Sequence, residues 1–384
     1  MRSPGILHDN FFIGEGSLAH LESITEKENY KNILLFTDTT GFRLCGAADY
    51  FKRLEAKPYI NKIKEISYEG KALPIEDVER LYIEAKTESH VDAIIAVGGG
   101  TVIDVAKIIS IAYSNRCEKA EEVLDNKTLQ NKTPLIFIPT TAGTGSETTS
   151  FAVVYRNRIK ISVVSNSLLP HYIILEPLLL RSLPGPVLHS TVLDALAQAT
   201  ESIWAVGGTE ESRGYARRAA VLILENIHKK DSILRLNNLQ LGSYWAGKAI
   251  NISKTTLSHS ISYPITAHFG VPHGIAVFLT LPDVAELNYF TTEENKQDRI
   301  ELDQINARFS LLFSLYGVES IHELKRKLKE VMVGLNVKTR LRDHGIEADD
   351  LPLIAANALT KGRSDNNPRK MSEDDILELL HKIF

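Results

Sequence analysis

Only two cysteines, Cys45 and Cys117, occur in the 384 residues, and neither belongs to a CxxC pair or a finger-type spacing. That excludes a disulfide framework and a cysteine-rich metal module, and it fits a reducing compartment. A strong charge imbalance is also missing. The formal net charge is -4, which gives no general electrostatic case for nucleic acid or an anionic membrane surface. No apolar run reaches the roughly 20 residues of a membrane span, and the opening MRSPGILHDNFFIGEG lacks the sustained apolar core of a signal peptide. Repeats and low-complexity stretches are lacking too. A cytoplasmic, soluble protein is therefore expected, with no nucleic-acid or membrane partner. What is present is ordinary globular composition, 43% hydrophobic and 24% charged, in a chain long enough for two domains.

The most informative stretch is Val91–Asp104, VDAIIAVGGGTVID. Its first half is apolar at successive positions, which is how a strand buried on both faces reads. Gly98, Gly99 and Gly100 then permit a tight turn with uncovered backbone N–H groups, and a helix beginning near Thr101 points its positive end at that turn. Such a loop is built to hold a diphosphate, although the same glycines also fit a turn that serves packing alone. Asp104 lies in the first helical turn, where its charge favours the helix start.

Around this stretch, strands and helices alternate. Apolar strands are expected at Asn32–Thr37, Ile63–Tyr68 and Pro134–Pro139, with an edge strand and turn at Phe11–Gly16 and a helix from Ile75 to Glu88. Asp38 ends the strand NILLFT, where an acid can bond ribose hydroxyls and repel a 2'-phosphate; a solvated aspartate fits the position as well. The threonine- and glycine-rich TTAGTGSE after Pro139 suits a loop folding over a cofactor. Phe151–Tyr155 and Ile159–Val164 read as a hairpin turning at Asn157, with Lys160 available for a ribose or phosphate.

Past Pro170, Pro177, Pro184 and Pro186 the pattern becomes helical, which places a domain boundary near Leu183. Helices are expected over Leu188–Val206, Ser212–Asn226, Ser243–Ile265 as one or two pieces, Gly274–Asn288, Asp298–Ser314, Ile321–Leu335 and Glu373–Phe384. In the first of these Asp194 and Gln198 are four apart and share a face. A carboxylate among leucine and alanine needs a partner or a cation. His259, His268 and His273 follow on later elements, and two histidines brought to that acid would complete a divalent-metal site. Satisfied structural histidines fit the same pattern.

Several blocks resemble the iron-containing (group III) alcohol dehydrogenase family, which shares its architecture with dehydroquinate synthase. They are GGGTVIDVAK at Gly98–Lys107, PTTAGTGSE at Pro139–Glu147, DALAQATES at Asp194–Ser202, the long run Ala246–Gly274, and NNPR at Asn366–Arg369. The resemblance covers nearly the whole chain. It implies a dehydroquinate synthase-like fold: an α/β N-terminal Rossmann-like parallel-sheet domain over residues 1–183 and an all-α C-terminal domain over residues 184–384. It implies NAD, with NADP as the alternative, held by Gly98, Gly99, Gly100, Thr101 and the adjacent Asp104, by Thr140, Thr141, Thr144, Gly145 and Lys160, and by Asp38. It implies Fe2+ or Zn2+ on Asp194, His259 and His273, with Gln198 where the family usually has a histidine. Tyr263 stands where some members have a further histidine, so Tyr263 and His268 are the candidate pocket or proton-relay residues. A homodimer is expected.

The activity implied is NAD(P)-dependent, metal-assisted interconversion of an aldehyde and an alcohol, with the nicotinamide held in a cleft between the domains. The blocks at Glu201–Ser212 and Ala246–Thr256 are similar to branches acting on small anionic substrates, including phosphonoacetaldehyde reductases and octulosonate 8-oxidase-like enzymes. Lys248, Lys254, Ser253, Thr255, Thr256 and Ser258 offer cations and hydroxyls for a phosphonate or carboxylate, although both lysines also fit solvated helix positions. The alternatives are a cyclising synthase of the dehydroquinate type and a non-catalytic nucleotide-binding protein that has lost the ion.

Overall fold

The computed structural model describes residues 5–8, 10–70, 73–157 and 159–384. Nine strands are present among them: β1 Gly5–His8, β2 Phe11–Ile13, β3 Asn32–Thr37, β4 Lys62–Ser67, β5 Ala93–Gly98, β6 Leu135–Pro139, β7 Phe151–Arg156, β8 Ile159–Val164 and β9 Tyr172–Leu175. The helices of the first part are α1 His20–Lys27, α2 Gly41–Leu44, α3 Ala47–Glu55, α4 Ile75–Ala85, α5 Gly100–Ser114 and α6 Glu122–Asp125. Those that follow are α7 Gly185–Trp204, α8 Glu210–Asn226, α9 Ile233–Ser253, α10 Leu257–Phe269, α11 His273–Tyr289, α12 Leu302–Tyr316, α13 Ile321–Gly334, α14 Leu351–Ala356 and α15 Glu373–Ile383.

The main sheet runs β1-β2-β9-β6-β5-β3-β4. Every pairing from β2 to β4 is parallel, and β1 alone is antiparallel, to β2. Every residue of β5 and β6 is buried, because strands in the middle of a parallel sheet are covered on both faces. Two expectations change. The strand at Phe11 is not an edge: β1 pairs along one side of it and β9 along the other. The strand β9 falls in the proline-rich stretch read as a boundary, between Pro170 and Pro177, whose rings bracket four residues without interrupting their ladder.

The chain forms two compact units. One comprises the residues up to Pro184 together with Lys230–Tyr244; the other comprises Gly185–Lys229 and Trp245–Phe384. The inserted segment differs from a single cut near Leu183. It is held by Gln240, whose Nε2 donates to the Pro139 carbonyl at 2.9 Å, and by Tyr244, whose ring centroid lies 4.4 Å from that of Phe11.

In the second unit α7 and α11 pack with their backbones in contact, and the reason is Gly274. A Cβ there would stand 1.8 Å from the Ser190 carbonyl oxygen and 2.8 Å from the Asp194 nitrogen. No side chain fits between the helices at that point, so His273, one residue earlier, is carried against the turn that bears Asp194.

Candidate active site

The glycine loop lies in the first unit, where β5 gives way to α5. None of Gly98, Gly99 and Gly100 has positive φ, so what they supply is space and not a left-handed turn. A Cβ on Gly98 would meet Val102 at 2.7 Å, and one on Gly100 would meet the Thr144 side chain at 2.5 Å. Gly99 and Thr101 line a cavity of about 380 Å3 together with Asp38, Thr40 and Glu69. The acid at the end of β3 and the glycine loop thus face one space. Asp38 also caps α2, its Oδ1 accepting from the Gly41 and Phe42 N–H groups. Burial pushes its carboxyl up from the ordinary value, against the pull of those two N–H groups. Glu69, which no local pattern marks, accepts from the Thr40 hydroxyl at 2.7 Å on the wall of the same cavity.

The threonine loop is held from beneath. Asp104 accepts from the Ser146 hydroxyl at 2.6 Å and from the Val153 N–H at 3.0 Å, so its carboxylate fixes the loop and the hairpin. Lys107, fully buried, donates to the carbonyls of Ser146, Thr149 and Phe151 at 2.6, 2.7 and 3.0 Å. Burial pulls its ammonium down to about 8, opposed by the Asp104 and Glu147 charges. Thr140 is buried, its N–H bonded to the Gly98 carbonyl, and Thr141 and Thr144 are half-buried. Gly145 takes φ 60, a conformation that glycine adopts without strain. Lys160, on β8, places its charge near Asp104.

The second cluster lies wholly in the other unit. Ligand-type atoms of Asp194, His259 and His273 all fall within 4.8 Å of one another. His259 Nε2 is 3.2 Å and His273 Nε2 4.0 Å from Asp194 Oδ1. Gln198 is buried and hydrogen-bonds Asp194 through its side chain, with Oε1 itself accepting no hydrogen bond. The residue that organises the cluster is Glu201, which the spacing i, i+4, i+7 from Asp194 marks on the same face of α7. Its fully buried carboxylate accepts from the Thr256 hydroxyl at 2.8 Å, the Thr256 and Ser258 N–H groups at 3.1 and 2.9 Å, and His259 Nδ1 at 2.5 Å.

That last bond sets the tautomer: with Nδ1 held by a carboxylate, His259 presents Nε2 to Asp194. Ser262 Oγ does the same for His273, 3.3 Å from its Nδ1. Burial opposes charge on His259, but Glu201 and Asp194 outweigh it and lift the imidazole to about 10. The same contacts keep Asp194 and Glu201 below the ordinary carboxylate range despite burial. One carboxylate and two imidazole nitrogens, each with its far side fixed by a hydrogen bond, are the donor set of a divalent iron or zinc ion. The residues present fit such an ion.

Tyr263 stacks on His273 with ring centroids 6.0 Å apart and an interplanar angle of 10°. His268 is not brought to the cluster. It is exposed in the last turn of α10 with its ring against Phe269, and nine residues past His259 is about 13 Å along a helix. Lys248 lies with its ammonium 5.4 Å from the Tyr215 ring centre, on the α8–α9 surface. Ser253 and Thr256 spend their hydroxyls on the scaffold, Ser253 with Ser202 at 2.6 Å and Thr256 with Glu201 and Trp204 at 2.8 Å each.

Known proteins are similar to this chain in sequence and fold. Residues 9–177 match the family "Iron-containing alcohol dehydrogenase", and residues 189–384 match "Fe-containing alcohol dehydrogenase family, C-terminal". The 1,3-propanediol dehydrogenase of Citrobacter freundii is 29% identical over 310 residues, 79% of this chain and 78% of its own. The lactaldehyde reductase of Escherichia coli K12 is 27% identical over 408 aligned positions, covering 100% of both chains. The crystal structure of sulfoacetaldehyde reductase from Bifidobacterium kashiwanohense in complex with NAD+ is similar in fold, with a TM-score of 0.83 at 22% identity over 99% of both chains. The chain belongs to the iron-containing alcohol dehydrogenase family.

Proposed function

We propose that this protein interconverts a small polar or anionic aldehyde and its alcohol, using NAD(H) and a divalent ion, iron or zinc, on Asp194, His259 and His273. The observation that supports it most is the convergence of those three side chains from α7, α10 and α11 within 4.8 Å. When bound, the ion supplies Lewis acidity at the carbonyl oxygen and the nicotinamide supplies the hydride, so that aldehyde, NADH and a proton give alcohol and NAD+. The residues of the chain do the rest. Asp194 supplies the negative charge that a divalent cation needs, and Glu201 and Ser262 keep both imidazoles facing it. Gln198, hydrogen-bonded to Asp194, would offer such an ion only a neutral amide oxygen, a weaker donor than imidazole. Tyr263, stacked on His273, offers a hydroxyl for the proton at the product oxygen. Gly98–Gly100 and Thr101 admit a diphosphate to the start of α5, and Asp104 with Lys107 anchors the segment from Ser146 to Val153 that follows the Thr140–Gly145 loop.

The relatives and the fold neighbour act, by their names, on propanediol, lactaldehyde and sulfoacetaldehyde, all small and polar. An anionic substrate of phosphonoacetaldehyde or sugar-acid type is favoured here because Lys254, in the connection between α9 and α10, lies close in the chain to His259. The test is an NADH absorbance assay on the purified, metal-analysed protein with phosphonoacetaldehyde, hydroxyaldehydes and aliphatic aldehydes. Preference for the charged or hydroxylated compounds is expected; preference for the plain aliphatic series would refute the substrate class.

NAD is preferred over NADP in this reading because Asp38 and Glu69 both face the cavity beside the glycine loop. Asp38→Asn removes the charge and keeps an acceptor for the α2 cap. The ratio of kcat/KM for NADPH to that for NADH should rise by about tenfold or more, a change of roughly 1.4 kcal/mol in relative binding. An unchanged ratio would exclude Asp38 as the selecting residue.

A further inference from the structure

Five non-glycine residues among those described have positive φ: Asn29, Arg116, Asn157, Lys254 and Asn336. Three are asparagine, whose side chain tolerates that region. Arg116 and Lys254 are not, and of these two Lys254 lies near the histidine-bearing helix α10. It follows the last residue of α9 with φ 61, its N–H bonded to the Ile250 carbonyl at 3.0 Å. This is the left-handed position that closes a helix, and glycine is the residue that takes it without strain. A lysine held there is an observed outlier that calls for a reason, and strain of this kind gathers at functional sites.

The turn that carries Lys254 is fastened to a second cation-bearing turn. Asn366 donates from Nδ2 to the Ser253 and Thr255 carbonyls, at 2.8 and 3.0 Å, on either side of Lys254. The Asn366 N–H in turn bonds the Arg363 carbonyl at 3.1 Å. The same segment is tied to α10, since Thr360 donates its N–H to Ser260 Oγ at 2.9 Å, and Ser260 Oγ donates to the Ala358 carbonyl. Ser260 is the neighbour of His259. Both cations therefore sit on turns clamped to the helix that carries a metal-site imidazole. Arg363 is half-buried, and its Nε–H is buried without a hydrogen-bond partner.

We propose that Lys254 and Arg363, whose turns Asn366 fastens side by side, together form the seat for the anionic end of the substrate, the anion adding to the bonds that the Lys254 ammonium makes to the Asn251 carbonyl at 3.1 Å and Arg363 Nη1 to the Gly362 carbonyl at 3.0 Å. The inference rests on the aldehyde–alcohol reading above and adds to it the residues that select charge. A sulfonate, phosphonate or carboxylate has several oxygens, enough to take the Arg363 Nε–H and the Lys254 ammonium at once. Burial, and then the Arg363 charge, pull the Lys254 ammonium down to about 8, the sign of two like charges held in a partly dehydrated place that an anion would relieve. No local pattern joins the two residues, and Arg363 has no motif of its own.

Lys254→Gly separates function from folding, because glycine relaxes the backbone that lysine strains. Its melting temperature should be no lower than that of the parent. With NADH, its kcat/KM for sulfoacetaldehyde and phosphonoacetaldehyde should fall by about tenfold or more, while that for propanal stays within about twofold. Arg363→Gln should show the same selective loss, and Arg363→Lys should recover part of it. Equal losses on charged and neutral aldehydes, or no loss on the charged ones, would overturn the assignment. Titration calorimetry of the NAD+-loaded protein with ethylphosphonate and ethanesulfonate decides it without turnover. Weaker binding to both variants supports the seat, with the stronger of the two anions naming the headgroup, and unchanged or absent binding to the parent and variants alike refutes it. Failure of the parent to reduce any aldehyde would count against the aldehyde–alcohol reading, with the calorimetry still deciding the pair.

Discussion

Asp194→Ala is expected to fold, to lose bound iron or zinc on dialysis, and to lose turnover by roughly 10³-fold, the several kcal/mol that Lewis-acid assistance contributes. The substitution removes the one carboxylate among the three converging donors and leaves two imidazoles, too few for a divalent site. Elemental analysis and an NADH assay on the same preparation check both halves. Unchanged turnover after rigorous chelation would remove the metal from the mechanism. Glu201→Gln gives a graded companion. The amide keeps the shape and can still accept from Thr256 and Ser258, but it no longer supplies a full charge at His259 Nδ1, 2.5 Å away. Metal affinity, read by competition with a chelator, should fall by about 10- to 100-fold, the usual effect of losing a partner behind a ligating histidine. If affinity were unchanged, the glutamate would be a capping residue for the start of α10 and no more.

Gly274→Ala is the second large effect, and it tests packing. The added methyl would lie 1.8 Å from the Ser190 carbonyl oxygen, a backbone atom that cannot rotate aside, so α7 and α11 must part. We expect a loss of about 3 kcal/mol or more, at or beyond the upper end for overpacking, seen as a lower denaturation midpoint. Metal affinity should fall with it, since His273 is the adjacent residue and 4.0 Å is already the longer of the two imidazole approaches to Asp194. Gly214→Ala in α8 is the control. Nothing lies within 4 Å of its Cβ position, so alanine should raise stability by about 0.5–1 kcal/mol. If the two variants melt alike, the close approach of the helices is not what Gly274 provides.

The strands β3, β5 and β6 and the long helices were legible because burial on two faces and on one face leave different apolar periods in the sequence. The glycine and threonine loops were legible for the same kind of reason, since each is a continuous segment whose composition states its requirement. Short elements escaped: α2 and α3 follow Asp38 without a long period, and β9 is flanked by prolines that usually mark irregular chain. The segment Lys230–Tyr244 also escaped, because membership of a compact unit depends on what a helix touches, here Pro139 and Phe11, and not on its own pattern.

The sequence by itself determined what lies within one element: the glycine loop after β5, the acid ending β3, and the face of α7 shared by Asp194, Gln198 and Glu201. Fixed helical and strand periods make such neighbours computable from spacing. Only the tertiary structure decided which distant residues meet. It brought His259 and His273 to Asp194 and left His268 in solvent, moved Lys248 onto Tyr215, and fastened the turn of Arg363 to that of Lys254. Those outcomes follow from how closely helices pack and how separate turns are clamped, quantities set by glycines, buried amides and carbonyls far apart in the chain.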